Sequence, residues 1–230
     1  MRLDLRGRES LLDVGCGPGV LTIGFAGFVG RALGLDPERA MIDAARTAAA
    51  STALPVSFVA GRIEEFTPAD RFDIVTIGRA LHWLDRNVAL LVLERIVSAS
   101  GRVVVCRASS VEHPGAPWVK AYSDLCRSYV SDADKAIEAR YALDPMGWFA
   151  GSRFEQADIV EIVETREVAI SDLIGRSLSK SNTSPAKLGN RRAAFEAEVT
   201  AALEPFAAQG VLEEQILARA TIFTADAGFR

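Results

Sequence analysis

The residues best equipped for chemistry stand in three groups. Gly15, Gly17 and Gly19 are spaced two apart, with Cys16 and Pro18 between them and Asp13 just ahead. Glycines let the main chain adopt positive φ and let a ligand approach the backbone closely. A helix opening there would add N–H groups that lack helical partners, and a partial positive charge. Further on comes Asp36, followed by Pro37. A carboxylate at that point can accept two hydrogen bonds from a diol such as a ribose. The third group is Gly78-Arg79-Ala80, then His82 and Trp83, with Arg107 later in the chain. An imidazole can hold or take a proton near neutral pH. Guanidinium groups such as those of Arg79 and Arg107 can hold a carboxylate by two parallel hydrogen bonds.

These groups need a scaffold, and the hydrophobic pattern supplies one. Residues 11–14 read as a buried strand that runs into the glycine turn, and residues 20–28 as a helix leaving it. Residues 30–36 form a second expected strand. Asp36 then serves either as a ribose ligand or as the cap of a helix over 38–50, and the two roles are compatible. Third and fourth strands follow at 56–60 and 71–78, a helix at 87–99, and a fifth strand at 103–106 whose unbroken apolar run implies burial on both faces. Such alternation predicts an α/β, doubly wound parallel sheet in the order 3-2-1-4-5, with the glycine turn where the order reverses. In the second half, helices are expected at 118–130, 171–179 and 191–206, and strands at 159–167 and 215–224.

The run Leu11 to Gly19, LLDVGCGPG, resembles motif I of the class I S-adenosylmethionine-dependent methyltransferases. The run FDIVTIG at 72–78 resembles that family's motif at the fourth strand. The pair His82-Trp83 resembles a subset typified by trans-aconitate methyltransferases. The resemblance implies a Rossmann-like, seven-stranded, mostly parallel sheet in a single domain over 1–230. Within it a small helical cap is inserted after strand five, at 112–152, and the two late strands close the sheet as an antiparallel hairpin. It implies S-adenosylmethionine as cofactor, held by Asp13, Gly15, Cys16, Gly17, Pro18 and Gly19 at the turn and by Asp36 and Pro37 at the ribose. Met41, Gly61, Arg62 and Ile63 would border the adenine, and Gly78, Arg79 and Ala80 would complete the site. Arg62 departs from the family, which has an acid there for the adenine amino group; Glu64 is a weak substitute, better read as a solvated helix-start acid. His82 is the expected catalytic residue. Trp83, Arg107 and Trp148 are the expected substrate contacts, although cap aromatics such as Trp118, Tyr122, Tyr129, Tyr141 and Phe149 can equally serve packing alone. The family also carries one or two helices before motif I. Here the motif begins within the first dozen residues, which leaves open a shortened start or a more open site.

Composition narrows the alternatives. The chain has 230 residues, 49% of them hydrophobic, and a net charge of −4, which speaks against a nucleic-acid-binding face. No apolar run reaches the roughly 18 residues of a membrane span, and the first ten residues are too charged for a signal peptide. Three cysteines without metal or redox spacing suggest a reduced, cytoplasmic chain with no metal site. Small-molecule methyl transfer to a carboxylate, hydroxyl or amine is the expected function. The alternative is a protein that binds the cofactor without turnover. A nicotinamide oxidoreductase is a third possibility, but Val20 breaks the G-x-G-x-x-G spacing it needs. Oligomeric state stays open, a homodimer among the forms allowed.

Overall fold

A computed structural model describes residues 3–132, 135, 144–180 and 182–225. Among these, seven strands form one sheet in the order β3-β2-β1-β4-β5-β7-β6. They are β1 (Ser10–Val14), β2 (Arg31–Asp36), β3 (Val56–Ala60), β4 (Phe72–Gly78), β5 (Val97–Ser110), β6 (Phe154–Ala169) and β7 (Val211–Ala225). The first five pair in parallel, β1 lying between β2 and β4. The expected order 3-2-1-4-5 is therefore present, and the reversal falls at β1. Helices α1 (Val20–Ala26), α2 (Arg39–Ala49) and α3 (Arg86–Ile96) connect these strands.

The chain divides into two compact units. The first holds Met1–Arg107, Leu143–Glu161 and Arg219–Arg230; the second holds Ala108–Ala142 and Ile162–Ala218. In the first unit, neighbouring residues of a strand point to opposite faces of the sheet. Leu12, Val75 and Val103 enter one apolar cluster, and Leu11, Ile74 and Val104 enter another. Both faces are thus covered, which is why these strands read as near-continuous apolar runs.

Two boundaries differ from expectation. The helix expected to reach residue 99 stops at Ile96, and β5 begins at Val97. Val97 is β-branched and extended, with φ −80° and ψ 132°. It pairs with Phe72, while Ile74 pairs with Arg102, so β5 bulges across residues 98–101. The second difference concerns the cap. A boundary at 112–152 does not match the division, because Leu143–Glu161 belongs to the first unit and Ile162–Ala218 to the second. The short helix Pro145–Phe149 brings Trp148 and Phe149 into the first unit's core. The Phe149 ring meets those of Trp148, Phe154 and Phe223 at centroid distances of 4.7, 5.7 and 4.3 Å. Tyr141 lies outside the described residues.

The second unit packs α4 (Trp118–Ser128) with helices Ile170–Leu178 and Arg192–Leu203 around Leu173, Phe195 and Leu203. Trp118 and Tyr122 join this cluster, and their polar atoms are satisfied inside it. Trp118 Nε1 donates to the Glu213 carbonyl at 3.0 Å, and the Tyr122 hydroxyl donates to the Leu173 carbonyl at 2.8 Å. Glu214, with no exposed surface, accepts from Arg176, Arg166 and Ser110. Burial alone would raise its carboxyl, but those donors hold it down at about 2.

Candidate functional site

The three glycines of the turn all carry positive φ: 67° at Gly15, 53° at Gly17 and 85° at Gly19. Each is glycine for a further, separate reason. A Cβ on Gly15 would run into the Cβ of Ala80, and one on Gly19 would press on the Phe58 ring and Ala45. A Cβ on Gly17 would meet nothing within 4 Å, so the space above Gly17 is open. That opening is where a ligand can lie against the backbone. The turn's own amides are largely spent inside the protein. Gly15 and Cys16 both donate to the Leu35 carbonyl, at 2.8 and 3.1 Å. Gly17 donates to Asp36 Oδ2 at 2.9 Å, and Glu38 donates to Asp36 Oδ1 at 2.9 Å. Asp36 therefore sits at the end of β2, its carboxylate turned to the glycine turn, and each oxygen keeps acceptor capacity for one more donor. Pro18 and Pro37 flank the opening and are exposed. The Cys16 thiol is buried, and burial, then Asp13 and Asp36, push it up to about 12, so it is no nucleophile.

Asp13 does not face the opening. It is 1% exposed, and its two oxygens accept from the Thr22 amide at 3.1 Å, the Thr22 hydroxyl at 2.7 Å and the Thr76 hydroxyl at 2.9 Å. It ties β1 to β4 and to the first turn of α1. The expected cofactor contact is thus corrected to a structural role, since no oxygen reaches the surface. Burial lifts its carboxyl to about 6 despite the three donors. Sequence reading missed Thr22 and Thr76, whose hydroxyls lie far along the chain or on the opposite side of the turn.

On the far side of Asp36, the Gly61 amide donates to the Asp36 carbonyl at 3.0 Å. Ile63 is 3% exposed and its side chain packs in the core, which leaves its backbone as the part that could border an adenine. Arg62 is exposed and pairs with Glu64 at 3.4 Å, and Glu64 Oε1 accepts the Asp85 amide at 3.1 Å. Glu64 is thus engaged and largely buried, with 14% of its side chain exposed, rather than a solvated acid. Met41 stands 42% exposed on α2.

The third group gathers at the ends of β4 and β5. Gly78 is in register with Cys106, so Arg79 and Arg107 each follow a paired residue. A Cβ on Gly78 would displace the end of the Leu21 side chain. Arg79 adopts φ 57°, a left-handed conformation uncommon outside glycine, and its amide donates to the Cys106 carbonyl at 3.3 Å. Ala80 is buried against Gly15. His82 and Trp83 share a single 3-10 turn, Leu81–Trp83, with their rings 4.8 Å apart. Trp83 is 55% exposed. Burial first, then Arg79 and Arg107, pull the His82 imidazole down to about 4, which makes it neutral at physiological pH. Trp148 does not join this group. It is 3% exposed in the core, and Arg86 Nε holds its carbonyl at 2.7 Å. Its expected substrate role is corrected to packing.

A groove of about 350 Å³ lies elsewhere, at the N-terminal edge of β2, β3 and β4, lined by Arg31, Leu33, Pro55, Val56, Asp70 and Phe72. It contains none of the residues above. Ligands in open parallel sheets bind at the opposite, carboxyl edge, and the chemistry-bearing residues gather there. Among the described residues no cluster of metal ligands occurs, and no helix is long and apolar enough to cross a membrane.

Comparison with known proteins agrees with this geometry. Residues 11–101 match a family model described as a methyltransferase domain. A ubiquinone biosynthesis O-methyltransferase of a Bradyrhizobium strain is 31% identical over 150 residues, covering 64% of this chain and 53% of the relative. An uncharacterized methyltransferase of Schizosaccharomyces pombe is 33% identical over 113 residues, covering 45% of this chain and 41% of the relative. The chain thus spans about half the length of these relatives. A solved structure described as a putative type II methyltransferase from Anaeromyxobacter dehalogenans superposes over 97% of this chain and 92% of its own, with a TM-score of 0.70 and 18% identity. The YcgJ protein of Bacillus subtilis superposes over 97% and 94%, with a TM-score of 0.58 and 18% identity. At such identities the structural likeness establishes the fold.

Proposed function

We propose that this chain, which carries a methyltransferase domain over residues 11–101, transfers a methyl group from S-adenosylmethionine to a small-molecule acceptor. The observation that carries the proposal is the opening over Gly17 with the Asp36 carboxylate beside it. Gly17 and Pro18 would form the floor for the cofactor, Asp36 would accept its ribose hydroxyls, and Gly61, Arg62 and Met41 would border its adenine. When bound, the cofactor supplies an already activated methyl group. The protein's own work is to align the acceptor and exclude water, and alignment of this kind is worth roughly 7–11 kcal/mol. His82, neutral above about pH 4, can accept a hydrogen bond from a hydroxyl or amine acceptor and so orient it, although burial and the nearby arginines make it a weak base. A carboxylate acceptor would need no base. We further read the chain as cytoplasmic, in keeping with three free thiols, Cys16, Cys106 and Cys126.

One observation favours a second reading, binding without turnover: Arg62 stands where the resembling enzymes place an acid, and it is engaged with Glu64. A methyl-transfer assay over small acids, phenols and amines separates the two. Calorimetry with S-adenosylhomocysteine tests what both share. Wild-type protein should bind. Asp36→Ala should lose about tenfold to a hundredfold, the worth of one to two hydrogen bonds to a charged group. Gly17→Arg should abolish binding by filling the opening. An unresponsive wild type, or unchanged affinity in both variants, overturns the proposal.

A further inference from the structure

Helix α3 carries only half of its own N-terminal cap, and the other half comes from a different element. Asp85 caps the helix by accepting the Asn87 and Val88 amides at 3.1 and 3.2 Å. In a complete capping box the third helical residue reaches back and takes the cap residue's own N–H. Here that residue is Val88, whose side chain has no acceptor. Glu64 supplies one from outside the helix: its Oε1 accepts the Asp85 amide at 3.1 Å. Its other oxygen pairs with Arg62 Nε at 3.4 Å, and only 14% of the side chain is exposed. Glu64 itself stands on a fixed base. The 3-10 turn Ile63–Glu65 is pinned by Ile63 in the core, and Arg95 of α3 donates from Nη2 to the Phe66 carbonyl at 2.9 Å. Asp85 closes a segment that starts at Ala80, packed on Gly15, and runs through the turn Leu81–Trp83. Glu64 therefore ties the residues that follow β3 to the turn that carries His82 and Trp83 after β4. Strand pairing makes no such link, because β2 and β1 lie between β3 and β4. Three strand spacings of about 4.8 Å separate the two strand ends.

We infer that Glu64 is a positioning residue of the site. It sets the His82–Trp83 turn against the segment that would border the adenine, and it acts through the Asp85 amide without touching cofactor or acceptor. The inference rests on the methyl-transfer reading for its purpose, but the tether is tested without it. Its weight comes from the precision that alignment demands: a misplacement of about 1 Å can cost about a hundredfold in rate. His82 and Trp83, with rings 4.8 Å apart, stand only three and two residues before the amide that Glu64 holds. Arg62 gains a use in the same arrangement, since it engages the second Glu64 oxygen and so helps to aim the first.

The test compares the full chain with Glu64→Gln, Glu64→Ala, and Glu64→Ala combined with Val88→Glu. Tryptophan anisotropy decay, thermal melting and calorimetry with S-adenosylhomocysteine are the readouts. Trp118 and Trp148 are 2% and 3% exposed, so fast local motion reports Trp83, and a Trp83→Phe control identifies its share. Glutamine keeps an oxygen for the Asp85 amide, so Glu64→Gln should match the wild type in Trp83 motion. Glu64→Ala should release Trp83 into local motion on roughly the nanosecond scale and melt about 2–4 °C lower, the worth of half a cap. It should keep its affinity for S-adenosylhomocysteine. Val88 is exposed, so a glutamate there completes the capping box within α3. The double variant should therefore regain the melting temperature while Trp83 stays loose, because the helix is capped again and the tether is still missing. That split separates positioning from capping alone. Unchanged Trp83 motion in Glu64→Ala, or motion restored in the double variant, would overturn the inference. So would a loss of about tenfold or more in S-adenosylhomocysteine affinity in Glu64→Ala, the mark of a direct contact with the cofactor. If Trp83 responds as expected but the wild type binds no S-adenosylhomocysteine, the cofactor reading fails and the tether stands.

Discussion

Replacing Asp13 by asparagine should change the pH dependence of stability without touching ligand affinity. The carboxyl is held at about 6 in the folded chain, chiefly by burial, against an ordinary value of 3.8. A raised carboxyl means that the folded state binds the proton more tightly, so stability falls as pH rises from about 3.8 to about 6. At 1.36 kcal/mol per pH unit the full gap is worth about 3 kcal/mol, of which roughly 2–3 kcal/mol lies between about pH 4 and about pH 7.5. Asparagine keeps one oxygen for the Thr22 amide and hydroxyl, and its amide can donate to the Thr76 hydroxyl, so the local bonds survive in altered polarity. The difference in unfolding free energy, wild type minus Asp13→Asn, should therefore shrink by that amount from the acid to the neutral condition. Urea unfolding of both proteins at the two pH values measures it. The neighbouring carboxylates are common to both proteins and cancel in the difference. Parallel profiles would refute the burial argument. A folded Asp13→Asn protein that loses S-adenosylhomocysteine affinity by orders of magnitude would refute the structural role given to Asp13.

Two further outcomes follow from the same edge of the sheet. Gly15→Ala should cost about 2–3 kcal/mol, because the new methyl meets Ala80 and the residue sits at φ 67°. Gly17→Ala should cost only about 1–2 kcal/mol, the left-handed term alone. It should nonetheless weaken S-adenosylhomocysteine, and denaturant curves with calorimetry on both variants check the contrast. His82 should titrate near 4 by proton NMR, read against a His82→Asn spectrum in a chain with only two histidines. Because the folded imidazole binds its proton less tightly than the ordinary 6.5, it removes stability as pH falls from about 6.5 towards about 4. Arg79→Gln should move the midpoint upward, and an unmoved midpoint would show that Arg79 does not act on His82.

Much of the first 110 residues was legible because its signals are local. The glycine spacing, the acid closing β2 and the apolar runs of β4 and β5 each lie within ten residues, and together they specify the strand order. What stayed hidden depended on partners far along the chain. Asp13 looks like a ligand residue until Thr76, 63 positions away, takes its second oxygen. Trp148 looks like a pocket aromatic until Phe149, Phe154 and Phe223 close around the short helix that carries it. Glu214 carried no sequence signal, since Arg166 and Arg176 lie 48 and 38 residues before it. The helix end at Ile96 was missed for another reason. The apolar pattern continues through Val97, and only pairing with Phe72 decides that the continuation is strand.

The largest revision concerns what would grip the cofactor. The glycine spacing suggested main-chain amides offered to a ligand, yet Gly15 and Cys16 give theirs to Leu35 and Gly17 gives its own to Asp36. The turn then acts less as a set of donors than as a splint for one carboxylate. Gly17 and Glu38 hold the two Asp36 oxygens from opposite ends, fixing the rotamer and leaving one acceptor site on each. A diol meets a receptor already oriented, so little side-chain entropy is lost on binding. Gly17 reaches Asp36 because β1 and β2 lie side by side and in parallel, so their carboxyl ends meet. A substitution that loosens β2 from β1 should therefore impair cofactor binding, even at a residue that touches no cofactor atom.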